Sequence, residues 1–303
     1  SYMGFNMKDA VIGQDNPKAK YLRQAISIAV DYEEEIAIFQ NGRGMVAQSP
    51  LPPDIAGATK DCNPVTHKAE GKNCIRRPLT EAKALLVQAG YPDGIDPSTG
   101  KALVLYYDTV STGADDKAQL DWMRKQFAKL GIQLVIRSSD YNRFQEKMRS
   151  GNAQIFSWGW NADYPDAENF LFLLLGSNAK VDNGGENASN YHNADFDALY
   201  QQISRMEDSP KRRELIAQAI GIVREDAPWL FGFYPQNVSL FHGWVHNVYP
   251  NLMANNTLKY RRLDIESRSI AQEAWNQPVM LPLWLFSGLF GLVIWIIWWR
   301  VRR

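Results

Sequence analysis

The segment VMLPLWLFSGLFGLVIWIIWW, Val279 to Trp299, carries no ionisable side chain over 21 positions. As a helix rising 1.5 Å per residue it would be about 31 Å long, which is the thickness of a bilayer's hydrocarbon core. A buried core helix is the alternative, but the basic run Arg300, Arg302 and Arg303 at its end argues against one. Trp284 near one end and Trp298 with Trp299 at the other suit interfacial belts. Pro282, Gly288 and Gly291 are tolerated in membrane helices. The residues just upstream hold Asp264, Glu266 and Glu273 against a single Arg268. This asymmetry predicts one pass through the inner membrane at 279–299, with the tail 300–303 in the cytoplasm and the body outside. Residues 263–278, polar and aperiodic, are expected to be an irregular linker.

An extracytoplasmic body decides how the two cysteines are read. Cys62 and Cys74 flank a polar loop, and outside the cytoplasm a disulfide between them is the default expectation. Metal binding with the intervening His67 is the rival, but two Cys and one His make an incomplete zinc set. The chain opens SYMGFNM, without an initiator Met or an apolar signal segment, so a preceding portion is expected. Formal net charge is zero over 303 residues, which lacks the basic footprint of a nucleic-acid binder.

Through the body, helix and strand patterns alternate. NPKAKYLRQAISIAV reads as a helix capped by Asn16 with Pro17 first inside. Asp31 and Glu34 resemble a capping box. LTEAKALLVQAGY, DDKAQLDWMRKQFAKLG (from Asp115) and DYNRFQEKMRSG follow as helices, and ALVLYY, IQLVIR and AQIFSW as strands. Then come AENFLFLLLG, ADFDALYQQISRM and SPKRRELIAQAIGIVREDA, all helical by period, the last capped by Ser209. PWLFGFYPQNVSLF returns as a strand. The alternation predicts an α/β layer structure with a largely parallel sheet.

Several motifs carry no chemistry on inspection. GRGMVA matches a dinucleotide pattern, but it follows a helix and runs into QSPLPP, which cannot open the helix that pyrophosphate needs. His242 and His246 lie in a poor helical context and read as surface histidines. No zincin, nucleophile-elbow or Walker pattern occurs, and neither a cofactor nor a resident metal is expected.

The informative stretch is SWGWNADYPDAENF, residues 157 to 170. Asp166 precedes an apolar helix and suits an N-cap, with Glu168 beside the positive dipole end. Asp163 follows Trp158 and Trp160 at the end of a strand, where ligands of open α/β sheets gather. A carboxylate there could accept hydrogen bonds from an ammonium group, with the rings adding cation–π attraction. An Asx turn before Pro165 explains Asp163 equally well. Calcium held by Asp163, Asp166 and Glu168 lacks a recognisable loop spacing.

Four blocks, YMGFNM, YLRQAISIAVDYEEEIAIFQNGRGMVAQSPLPP, GWNADYPDAENFL and LKYRRLD, together resemble the family 5 extracellular solute-binding proteins. The resemblance runs from about residue 2 to residue 264. It implies a two-lobed, hinge-closing binding protein of the periplasmic type II class. The present chain would supply the second lobe plus a return segment over 1–262, with the first lobe largely absent. It implies a non-enzyme that delivers peptides or other small solutes to an ABC permease and its ATPase. The aspartate of its G-W-x-A-D block contacts a peptide's α-amino group, and here that residue is Asp163. Trp160, Asn161, Ala162 and Trp158 would flank the same end of the ligand. The membrane span and the cysteine loop depart from the family pattern. A membrane-anchored sensor on the same fold and a hydrolase using Asp163 and Asp166 are the competing functions.

Overall fold

Period-2 alternation along five short strands, each too short to be stable alone, sets the layers of the fold. The strands are β1 (Tyr2–Phe5), β2 (Val104–Val110), β3 (Gln133–Ser139), β4 (Ile155–Trp158) and β5 (Trp229–Phe231), in the spatial order β5-β1-β4-β2-β3. This computed structural model describes residues 1–110, 113, 116–249 and 256–303. The chain divides into two units, Ser1–Asn237 and Val238–Arg303; the binding body was expected to continue to 262.

Within the first unit, β2 pairs in parallel with β3 and with β4, whereas β1 runs antiparallel to both β4 and β5. Four strands therefore point one way and β1 alone is reversed, which corrects the largely parallel expectation to a mixed sheet. Parallel neighbours need a crossover, and helices Asp116–Ala128 and Tyr141–Ser150 supply one between β2 and β3 and between β3 and β4. β1 precedes every crossover, so none obliges it to run with its neighbours.

Large side chains go alternately to two cores. Tyr2, Phe156, Trp229 and Phe231 face one, with Phe144, Phe196, Ile216 and Val223 from the covering helices. Met3, Phe5, Ile155 and Leu230 face the other, with Leu22, Ile26, Leu86 and Phe127. The Tyr2 and Trp229 rings stack at 3.7 Å. Gly4 sits opposite Phe156 in register, and a Cβ there would lie 2.2 Å from the ring. At the end of β1 the buried Asn6 donates to the carbonyls of Gly151 and Ala153 and accepts from Asn190, tying β1 to the approach to β4.

Helix ends follow local chemistry in most places. Asp31, Asp140 and Ser209 accept backbone N–H groups three residues on, and Gly151 ends its helix in the left-handed region. Asn16 departs from expectation: its side chain takes the Lys18 N–H in a turn, and the helix begins at Ala19 without a side-chain cap. The expected start at Asp115 lies outside the described residues. AENFLFLLLG is not one helix but a short α turn, Glu168–Leu171, followed by a 3-10 turn, Phe172–Leu174. The final strand breaks after Phe231, and Phe233–Pro235 pairs instead with Gly44–Val46 of the GRGMVA stretch.

The cysteine loop forms a hairpin, His67–Glu70 with Asn73–Arg76, and Cys62 is bonded to Cys74. Both ring nitrogens of the buried His67 are engaged, by Thr66 Oγ1 and by Glu33 Oε1. Arg76 donates to Glu33 Oε2 and to the carbonyls of Ile28 and Val30, which end the helix Ala19–Ala29. Burial acts to raise the Glu33 carboxyl, but His67, Arg76 and Asp31 outweigh it and push it down to about 2 from an ordinary 4.5.

In the second unit, Val245–His246 pairs with Arg262–Leu263. The expected irregular linker is largely helical, Ile265–Trp275, because Asp264 caps it by accepting from the Ser267 N–H and hydroxyl. His242 stacks on Trp244 at 4.1 Å. The apolar helix spans Leu281–Val301, two residues later than expected at each end, with Pro282 in the first turn where a missing N–H costs nothing. By length and composition it can cross a membrane.

Two measurements check this account. Gly4→Ala forces its new methyl into the Phe156 ring and is expected to cost about 1–3 kcal/mol, read as a lower urea midpoint; an unchanged midpoint would contradict the close packing. Because the folded Glu33 pKa lies below its unfolded value, its stabilisation is present above pH 4.5 and is lost as pH falls toward 2. Melting temperature should therefore drop more steeply across that window in the native protein than in Glu33→Gln.

Candidate functional site

The carboxyl ends of β2, β3, β4 and β5 share one edge of the sheet with the start of β1. Ser1 marks that edge, its amino group donating to the Phe233 carbonyl at 3.0 Å. The loop carrying Trp160 to Asp166 leaves the sheet there. In open α/β sheets this is the edge where ligands bind.

Trp158 is the last residue of β4 and shares the face of Phe156. Its ring lies 5.2 Å from Phe144 and 6.5 Å from Phe156. On it rides the ammonium of Lys180, 5.8 Å from the ring centre and paired with Glu186 at 3.1 Å. Trp160 meets Phe172 edge-on at 5.4 Å. Both indoles are half-buried, so the strand end is apolar within and open on one side.

One side chain organises the loop that follows. Asn169, only 3% exposed, accepts the Trp160 indole N–H at 3.2 Å and the Asp163 backbone N–H at 2.9 Å on its Oδ1. Its amide donates to Asp163 Oδ2 at 3.2 Å. The carboxylate of Asp163 is thereby held at one oxygen while its residue faces solvent with Asn161. Its hydrogen bond goes to the Asn169 side chain, and Pro165 has no N–H to close an Asx turn two residues on. Asn169 was not among the residues singled out from sequence; its trace there is one amide inside the apolar run AENFLFLLL.

The two acidic neighbours are committed elsewhere. Asp166 forms a bidentate pair with Arg212 at 2.6 and 2.8 Å, and accepts the Glu168 N–H at 2.8 Å. Arg212 is 4% exposed at its side chain and also donates to the Ile203 carbonyl. Burial acts to raise the Asp166 carboxyl, but the Arg212 and Glu168 hydrogen bonds prevail and hold it below the usual range. Both Asp166 oxygens are taken up by Arg212, which counts against the Asp163–Asp166 hydrolase. The Glu168 carboxylate receives the Tyr164 and Tyr200 hydroxyls. Burial and then Glu168 push the Tyr200 hydroxyl well above its ordinary value. Among the described residues no three His, Cys, Asp or Glu side chains converge as a metal site. Of the three carboxylates, only Asp163 is presented outward.

Residues 1–182 match the family described as bacterial extracellular solute-binding proteins, family 5 (middle). Heme-binding protein A of Haemophilus influenzae is 28% identical over 230 residues, 76% of this chain and 38% of that protein. The dipeptide-binding protein of Escherichia coli is 27% identical over 230 residues, 76% of this chain and 39% of that protein. Among solved structures, the periplasmic binding protein DppA of Helicobacter pylori in complex with the peptide STSA aligns with a TM-score of 0.64 at 26% identity, covering 77% of this chain and 41% of that one. The chain thus spans about two fifths of the length of the relatives it matches. Such proteins bind solutes and are not enzymes. By the match over more than half its length, the chain belongs to the family 5 bacterial extracellular solute-binding proteins.

Proposed function

We propose that this chain is the membrane-tethered, extracytoplasmic substrate-binding component of an ABC importer, and that its solute is a peptide passed on to a permease and its ATPase. The observation that carries the reading is the Asn169 clamp on Asp163. It fixes one carboxylate oxygen and leaves the other without a hydrogen-bond partner among the described residues, on an exposed residue whose Asn169 clamp also holds the Trp160 indole. An α-ammonium group matches that oxygen in charge and in hydrogen-bond donors. Trp158, Trp160, Asn161 and Ala162 line the approach.

Exposure limits what the site can do by itself. An ion pair in open water contributes about 0–1 kcal/mol, so Asp163 becomes a useful anchor only when a facing wall excludes solvent. Closure of two lobes about a hinge supplies that condition, and residues 1–262 would form one of the walls. The apolar helix, with acidic residues upstream and arginines after it, would tether this wall to the inner membrane, its tail cytoplasmic.

Two variants test the site. In the two-lobed form, where a facing wall excludes solvent, Asp163→Ala is expected to weaken tri- and tetrapeptide binding roughly ten- to a hundredfold, the equivalent of about 1.5–3 kcal/mol for a charge-assisted hydrogen bond, by calorimetry. N-acetylated peptides should bind the native protein about as poorly; equal affinity for free and acetylated peptides would contradict the ammonium assignment. Asn169→Ala keeps Asp163 but releases its loop. It should weaken binding in the same direction and lower stability by about 1–3 kcal/mol, because the Trp160 indole and the Asp163 amide lose their acceptor.

A further inference from the structure

The helix Ile265–Trp275 has little packing to account for it, its ring contacts being confined to Trp275 at one end. None of its eleven residues is buried, and all but Ala271 are exposed. Helices shorter than about 12–15 residues are marginal in water even with favourable sequences. One cap at Asp264 does not change that, so the helix needs a surface to lie on.

Its sequence says which face would lie down. At about 100° per residue, Ile270, Ala271, Ala274 and Trp275 fall with Ser267 in an arc of roughly 140°. Glu266, Arg268, Ser269, Gln272 and Glu273 occupy the remainder, with Ile265 of the first turn the one apolar residue among them. At the C-terminal end the Trp275 ring is met by Trp244 at 5.2 Å and by His242 at 5.3 Å, which widens the aromatic surface beyond the helix. Trp275 is still 59% exposed.

Position says what the surface is. Residues 276–280 alone separate this helix from the apolar helix that starts at Leu281. Fully extended, that connector reaches about 17 Å. Once Leu281 enters a bilayer, the Trp275 end is held within about 17 Å of the hydrocarbon edge, close enough for its rings to settle among the headgroups. Indole and imidazole rings, apolar in body and polar at one edge, suit that depth.

We infer that Ile265–Trp275 is an interfacial helix that lies on the outer phospholipid surface with the Ile270–Trp275 arc downward. The inference rests on the membrane-tether reading above. Two acids and one arginine on the polar arc give no cationic attraction, so apolar burial drives the contact and anionic lipid adds nothing.

The test uses the full chain with its disulfide oxidised, reconstituted in phosphatidylcholine nanodiscs with and without phosphatidylglycerol. Single nitroxide labels are placed through Ile270→Cys, Glu266→Cys and Leu289→Cys, and their exposure to oxygen and to a nickel chelate is read by power saturation. The oxygen-to-nickel ratio at 270 should exceed that at 266 several-fold in both lipid mixtures, with 289 deeper still. If 289 is in the bilayer while 270 and 266 are equally aqueous, the interfacial helix is wrong and the tether stands. If 289 is aqueous, the tether fails and the inference falls with it. Shielding of 270 from both reagents would overturn the lipid assignment in favour of a protein partner.

Discussion

The candidate site depends on one steric constraint, the alternation of large side chains along Ile155–Trp158. Ile155 goes to one core and Phe156 to the other, and Phe156 can lie flat against β1 only because its registered partner is Gly4. That contact lets β1 sit between β4 and β5, antiparallel to both. Two residues further on, the same alternation turns Trp158 to the Phe156 face and delivers the chain to the edge where four strand ends meet. A slip of one residue would exchange the two faces. It would put Trp158 into the opposite core and carry Asp163 away from the edge.

From that edge onward, hydrogen bonding takes over from packing. Asn169 is a buried polar residue whose oxygen and nitrogen both find partners within the Trp160–Asp163 loop, which is the condition for burying an amide without penalty. The bidentate Asp166–Arg212 pair holds the next turn against the long helix that begins at Pro210, and Arg212 in turn reaches the Ile203 carbonyl. The loop is thus fixed on two sides by groups that are themselves buried, while the carboxylate it carries is not. Preorganised in this way, Asp163 needs little ordering when a ligand arrives; most of the remaining cost is exclusion of water.

What was legible in the sequence was local. The caps at Asp31 and Ser209 depend on neighbours within four residues, and both stand where the residue types placed them. The edge position of the Trp158–Asp163 stretch followed from a strand pattern and a general rule about open sheets. The parts that escaped depend on distant partners. The reversed β1 pairs with a strand far along the chain, Gly4 facing Phe156 across 152 positions. Arg212, 46 residues beyond Asp166, decides that this carboxylate braces the fold. Asn169 gave no periodic signal because its partners are a loop, not a helix face. The helix Ile265–Trp275 was hidden by its polar composition and betrayed only by Asp264 and Ser267.

The most direct test of the central claim is a crystal structure of the protein with a bound tripeptide. The account predicts the ligand's terminal nitrogen within about 2.7–3.0 Å of the outward oxygen of Asp163, with Asn169 still donating to the other oxygen and the Trp160 indole unmoved. A peptide bound elsewhere, with the Asp163 carboxylate left in solvent, would contradict it and return that residue to a purely local role in the loop.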